Sequence, residues 1–317
     1  MGRLSYILFL LVLVAFPLHA EEKITKEDSK AILSYLASDE LEGRGTGKEG
    51  NRKAAYFIAK KFEEYGLEPI NPPVYIQPVP LPRPVDGYGY FQEFDYSYTV
   101  RVGLFRRRTV TVKTSNVVGI LRGQSDRCIV IGAHFDHLGI RGGKIYNGAD
   151  DNASGTTALL ELAEAFASGD DTRAKEQPKY TLVFAAFSAE EVGLIGSKFY
   201  VKNPAVPLKN HNLMINLDMV GRLSGDNPTL SLYSGNLSTR LKESINKLDD
   251  NYPFSFNFVP AGSRSDHAPF SWKGIPVLFF HTGSHPQYHQ PTDDEHLINY
   301  DGLVEITKYI FELTNGL

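Results

Sequence analysis

The spacing of apolar positions changes character along the chain. Near the start it is helical. Thr25 followed by Asp28 resembles a capping box, opening a predicted helix that runs to about Ser38 with Ile32, Leu33 and Leu36 on its buried stripe. A second predicted helix runs from about Gly50 to Tyr65, with Ala54, Ile58, Phe62 and Tyr65 at helical spacing. Gly66 is placed to end it. The stretch Pro69 to Pro84 holds seven prolines, a density that no helix or central strand survives. It reads as an extended surface excursion, followed by β-rich residues from Tyr90 to Thr114.

From Asn116 the pattern is different. Arg127 to Ala133, Tyr180 to Phe187, Asn212 to Leu217 and Ile275 to Phe280 are short, mostly apolar runs. Helical patterns, notably Ala153 to Ala167 and Gly193 to Lys202, separate several of them, and a last amphipathic helix runs from about Tyr300 to Leu313. Apolar strands buried on both faces and alternating with helices are the mark of an α/β fold. The expectation is one α/β domain over residues 21–317, with a mixed, largely parallel central sheet flanked by helices and a proline-rich and β excursion at about 69–115.

Composition narrows the class. The 317 residues are 42% hydrophobic and 22% charged, enough for a sizeable core. A formal charge of -4 gives no basic field to hold nucleic acid. The one dense basic run, Arg106 to Arg108, reads as a solvated turn between strands. Residues 1–20 stand apart: Arg3 precedes an unbroken apolar run from Ile7 to Phe16, and Pro17 breaks it before Leu18-His19-Ala20. This reads as a signal peptide, since a membrane span needs about 20 apolar residues. The expected localisation is therefore exported, periplasmic or secreted, with no stable membrane anchor after cleavage. Cys128 is the single cysteine, so neither an intramolecular disulfide nor a cysteine metal cluster is available. Its apolar neighbours suggest a buried strand thiol.

Open α/β sheets bind ligands beyond the carboxyl ends of their strands, and there the sequence is rich in metal-binding groups. His134 follows one strand in GAHFDH, and Asp150 and Asp151 stand at a helix entry in GADDNASG. Glu190 and Glu191 follow a strand in FSAEEVG, and Asp218 follows another in NLDMVGR. The loop after the last strand carries Tyr288 and His289 in QYHQPTDD. Two histidines with three carboxylates suit a pair of zinc ions. Two metals sharing one bridging carboxylate would use them all. Taken singly, each residue has a blander reading: Asp150 and Asp151 as charges favoured by a helix N-terminus, Glu190 and Glu191 as solvated carboxylates.

GAHFDHLG, YNGADDNASG, FSAEEVGLIGS, NLDMVGR and YHQPTDD resemble the di-zinc aminopeptidases of the bacterial leucyl aminopeptidase type, a family related to glutamate carboxypeptidase-like enzymes. LASDELEGRGTGKEG resembles that family's substrate-side leader. The resemblance covers roughly residues 30–70 and 116–315. It implies two Zn2+ per chain, a peptide substrate with a free N-terminus and a zinc exopeptidase-like fold. It implies that His134 and Asp218 bind one zinc, Glu191 and His289 the other, and that Asp151 bridges both. Glu190 is then the general base, Asp136 the carboxylate that orients the His134 imidazole, and Tyr288 a donor to the developing oxyanion. A cis peptide after Asp151 is also implied.

His267 reads as second to the ligands or substrate-facing, and His137, His211 and His296 as structural or exposed. The spacing of His281, His285 and His289 by four is accidental, because Gly283 and Pro286 argue against a helix there. Arg222 and Arg264 read as structural. Three rival functions share the scaffold. A carboxypeptidase would need a cationic pocket for a terminal carboxylate. A glutaminyl cyclase would use one zinc, against which the intact His134 and Asp218 argue. A non-catalytic binding domain would have lost ligands.

Overall fold

The computed structural model describes residues 23–71, 88–102, 106–168, 177–235, 237–249 and 251–317. The segment expected to be a signal peptide and most of the proline-rich stretch lie outside the described residues. No helix among those described is long and apolar enough to cross a membrane.

Two helices open the described chain, α1 (Lys26–Leu36) and α2 (Glu49–Glu64). Oγ1 of Thr25 accepts from the amide of Asp28 at 3.1 Å, the cap the sequence called for. After β1 (Glu68–Pro69), β2 (Phe91–Val102) and β3 (Arg106–Leu121) form a long antiparallel hairpin. Then follow β4 (Ser125–His134), a small hairpin of β5 (Gly139–Arg141) and β6 (Lys144–Tyr146), and α3 (Gly155–Ala167). The chain continues through β7 (Tyr180–Phe187), α4 (Ile195–Lys202), β8 (His211–Leu217), β9 (Thr229–Gly235) and α5 (Thr239–Asp249). It ends with β10 (Ser255–Pro260), α6 (His267–Ser271), β11 (Val277–His281) and α7 (Tyr300–Asn315).

The central sheet runs β1-β3-β7-β4-β8-β11-β9-β10, with β2 paired to β3. Its middle, β7-β4-β8-β11, is parallel. Both flanks enter antiparallel, β3 against β7 and β9 against β11. The α/β expectation holds, with helices against the sheet. In β4, Ile129, Ile131 and Ala133 join one apolar cluster, while Cys128 and Val130 join the other. Successive side chains thus feed opposite faces, as a pleated strand requires, and both faces are covered. A Cβ at Gly132 would lie 2.6 Å from the Phe187 ring, so any larger residue would force that buried ring to shift. Cys128 is fully buried, and burial pushes its thiol up to about 12.

The β-rich residues expected to end at Thr114 run further, because β3 continues to Leu121 and hydrogen-bonds into the central sheet through Val117 to Leu121. One expectation is corrected: Arg106 to Arg108, expected to form a turn, are the first residues of β3, paired with Val102, Arg101 and Val100. The strands β9 and β10 were not anticipated. Their alternation of polar and apolar residues is that of half-exposed strands, weaker as a signal than the mostly apolar runs.

Candidate active site

Four parallel strands deliver their carboxyl ends to one edge, and the metal-binding residues gather there. His134 is the last residue of β4 and pairs with Phe187, the last of β7. Glu190 and Glu191 lie just beyond, in a turn where the amides of Gly193 and Leu194 donate to the carbonyl of Glu190. Asp218 follows β8, and its amide donates to the carbonyl of Phe280 at 3.3 Å. His289 sits in the loop after β11 with φ +56. Asp151 lies in the irregular turn Ala149–Ser154 that leads into α3, and the peptide between Asp151 and Asn152 is cis.

All five expected ligands meet. His134 Nε2 lies 3.3 Å from Asp218 Oδ1 and 3.4 Å from Asp151 Oδ1. His289 Nε2 lies 3.0 Å from Asp151 Oδ2 and 3.3 Å from Glu191 Oε2. Ligand atoms held about 2.0–2.2 Å from a tetrahedral zinc stand roughly 3.3 Å from one another, and these separations match the edges of such a polyhedron. Asp151 contributes one oxygen to each group. The Nδ1 of His134 faces the main-chain carbonyl of Asp136 at 3.1 Å, which fixes the tautomer that leaves Nε2 free to bind a metal.

The electrostatics favour a cation. The carboxylates of Asp151 and Glu191 hold the His289 imidazole protonated, pushed up to about 10. The His134 ring is likewise raised, because Asp218 and Glu190 outweigh a burial that works against its charge. Glu191 is buried, which opposes ionisation, yet its hydrogen bonds to His137 and His289 hold it below the usual carboxylate range. Glu190 goes the other way: burial raises it, the His134 ring offsets part of this, and Asp266 and Asp218 raise it further. Two adjacent carboxyls are thus driven apart, the pattern expected of an acid–base group beside a ligand. The donor set, its spacing and its surplus of negative charge fit two zinc ions.

Two expected roles change. Asp136 is fully buried, but its Oδ1 stands 3.9 Å from His134 Nδ1. Its carboxylate instead accepts from the amide of Glu190 at 3.0 Å and from Thr46 Oγ1 at 2.7 Å. The carbonyl of Asp136, not its carboxylate, orients the imidazole. His137, expected to be structural or exposed, is buried and places Nδ1 2.7 Å from Glu191 Oε1. His137, Asp151 and Glu191 form a second set of ligand atoms within 4.8 Å of one another, beside His134, Asp151 and Asp218. At 2.7 Å the His137 contact is a hydrogen bond rather than a ligand edge, and His137 Nδ1 is 3.7 Å from Asp151. His289 has the better ligand geometry.

Asp150 turns away from the cluster: Gly221 donates to its Oδ1 at 2.7 Å and His285 Nε2 faces its Oδ2 at 3.1 Å. Sequence reasoning also missed Asp293, whose Oδ2 accepts from the amides of Asp150 and Asp151 at 3.0 and 3.1 Å. It lies in the quoted YHQPTDD run, four residues after His289, but nothing in the string says that its carboxylate cradles the Asp151 turn. Asp266 is fully buried beside the site, and burial, partly offset by the His134 ring, pushes it up to about 7. His267, next to it, stacks on Phe279 at 4.7 Å and points Nε2 at the carbonyl of Ala261, so it faces the protein interior. Tyr288 is 43% exposed and stacks on His289 with ring centroids 3.9 Å apart. His281, His285 and His289 lie on no common helix.

Known proteins resemble this chain in sequence and in fold. Aminopeptidase YwaD of Bacillus subtilis is 27% identical over 288 residues, 85% of this chain and 59% of that one. The chain spans less than two thirds of the length of the curated relatives it matches first. Among solved structures, an aminopeptidase from Aneurinibacillus sp. strain AM-1 superposes with a TM-score of 0.71 at 18% identity, covering 92% of this chain and 93% of that one. BSAP, a zinc aminopeptidase from Bacillus subtilis, gives 0.67 at 17% identity, covering 92% and 94%. The model of peptidase family M28 matches residues 116–314, the span that holds every one of the five clustered ligands, and the chain belongs to that family.

Proposed function

We propose that this chain is an exported aminopeptidase that removes single residues from the free N-termini of peptides, using two zinc ions. The observation that carries this reading is the shared carboxylate of Asp151, which offers one oxygen to His134 and Asp218 and the other to His289 and Glu191. Zinc held there supplies Lewis-acid chemistry, lowering the pKa of water and polarising a carbonyl.

The chain's own groups do the rest. Glu190, whose carboxyl burial raises above the usual carboxylate range, takes the proton from the attacking water and returns it to the leaving amine. Asp136 holds the main chain of Glu190 in place. The Tyr288 phenol is raised above its ordinary value by burial and by Asp151 and Glu191, so it stays protonated and can donate to the oxyanion. A free substrate ammonium is attracted to this carboxylate-rich rim, whereas a blocked N-terminus is not. A mono-zinc cyclase would leave the group of His134, Asp151 and Asp218 without a purpose. The named relatives, aminopeptidases among them, support the same reading.

The test combines metal content with an unblocked peptide and its N-acetylated twin. About two zinc ions per chain and stepwise loss of N-terminal residues from the free peptide alone are expected. One zinc at saturation, equal cleavage of both peptides, or loss from the C-terminus would overturn the reading. Export rests on residues 1–20; N-terminal sequencing of the mature protein should find them removed, and an intact N-terminus on cytoplasmic protein would count against it.

A further inference from the structure

The leader ahead of α2 buries an arginine completely. Arg44 has no exposed surface, and its backbone takes φ +51, an uncommon conformation for a side chain other than glycine. Among the described residues, its guanidinium donates to four main-chain carbonyls. Nε donates to Phe135 at 2.8 Å, Nη2 to Gly148 at 2.8 Å, and Nη1 to Asn147 at 2.7 Å and to Leu36.

The choice of carbonyls is informative. Phe135 lies between His134 and Asp136. Asn147 and Gly148 immediately precede the turn that carries Asp150 and Asp151. One planar cation therefore spans the strand-end loop of the first histidine and the turn of the bridging aspartate. The main chain adds to the clamp: the carbonyl of Arg44 accepts from the amide of His137 at 3.3 Å, and Gly45 forms a β-bridge with His137. Burial opposes the charge of Arg44, while Asp151, Asp293, Asp136 and Glu191 favour it and leave it at about 10, still a cation at neutral pH.

We propose that Arg44 is a positioning residue for the metal centre: by holding Phe135, Asn147 and Gly148 in one plane, it sets the distance between the His134 loop and the Asp151 turn. This rests on the di-zinc reading above. A residue that merely filled the core could be replaced at a cost in stability alone. Lysine would keep the charge but not the planar fork that meets several carbonyls at once.

The experiment uses the full chain, stripped of metal, as wild type, Arg44→Lys and Arg44→Ala, with Ile245→Ala as a destabilised core control on α5, which carries none of the site residues. Each is titrated with zinc against a competing chelator and with cobalt, whose visible absorption reports ligand geometry, and each is melted without metal. Arg44→Lys is expected to raise the metal dissociation constants roughly 10–100-fold, as lost outer partners of ligands do, and to alter the cobalt spectrum. Methylguanidinium should partly restore the spectrum of Arg44→Ala. Ile245→Ala should melt lower yet keep the wild-type spectrum. Wild-type metal affinity and spectrum in a folded Arg44→Lys would overturn the proposal, as would failure of both Arg44 variants to fold, which would make Arg44 a core residue. If the wild type binds no metal, the di-zinc reading falls as well, and that arm identifies it.

Discussion

The amide of Glu190 donates to Oδ1 of Asp136 at 3.0 Å, so the carboxylate two residues after the first histidine holds the main chain of the base. This separates two roles that replacement of Asp136 would otherwise blur. Because a carbonyl orients His134, Asp136→Asn should lower kcat by roughly 10–100-fold, the usual worth of an outer partner. The zinc dissociation constants should stay within about threefold of wild type, since the His134 contact to that carbonyl survives. Calorimetric zinc titration beside turnover decides it; an equal loss of metal affinity would return the carboxylate to the imidazole.

Glu190 and Glu191 are adjacent in the same turn, so a local folding defect would strike both alike. A chemical division of labour would not. Glu190→Gln should retain both zinc ions while activity falls by about 10²–10⁴, the worth of a positioned general base. Glu191→Gln should weaken one metal, because an amide oxygen is a poorer zinc ligand than a carboxylate. Zinc content and turnover on the same preparations separate the two. Metal loss in the first variant with retention in the second would reverse the assignment.

His137 and His289 both face Glu191, at 2.7 and 3.3 Å, but on opposite oxygens. If His289 is the ligand and His137 a hydrogen-bond donor, His289→Ala should bind one zinc tightly and one hardly at all. His137→Gln should keep two and lose roughly 10–100-fold in affinity for one of them. The opposite ranking would make His137 the ligand.

Far from the site, Glu161 of α3 is buried, and Oγ of Ser29 in α1 donates to its Oε1 at 2.7 Å. Burial pushes Glu161 up to about 8, against the Ser29 hydrogen bond and with help from Asp28. A carboxyl whose folded pKa is raised binds more protons in the native state. Its contribution is therefore complete below the unfolded value near 4.5 and is lost as pH rises toward 8. Stability of the wild type should fall across that window. Glu161→Gln should flatten the dependence and be more stable at pH 8 by on the order of 2 kcal/mol. Denaturant melts at pH 5 and pH 8 test this, and parallel curves for the two proteins would refute it.

Much of this was legible in the string because the physics is local. Arg127 to Ala133 and Tyr180 to Phe187 are short, mostly apolar runs, as strands covered on both faces are. Once the strands are placed, His134, Glu190, Glu191 and Asp218 must fall at their carboxyl ends, and parallel neighbours bring those ends to one edge. Thr25 caps α1 through a contact three residues long. The strand β9, between β11 and β10, and the edge strand β10 escape the sequence pattern because half-exposed strands carry a mixed one. What only the tertiary structure decided involves contacts between residues far apart in sequence, whose partners no local period encodes. That Asp136 serves Glu190 rather than His134 depends on which of its atoms, carbonyl or carboxylate, faces the ring. That His137 reaches Glu191, and that Arg44 reaches Phe135 and Gly148 across 91 and 104 residues, depends on where three loops converge. Apolar periodicity and motif order determine which elements form and which edge is reactive; the direction of each hydrogen bond at that edge is set by packing in three dimensions.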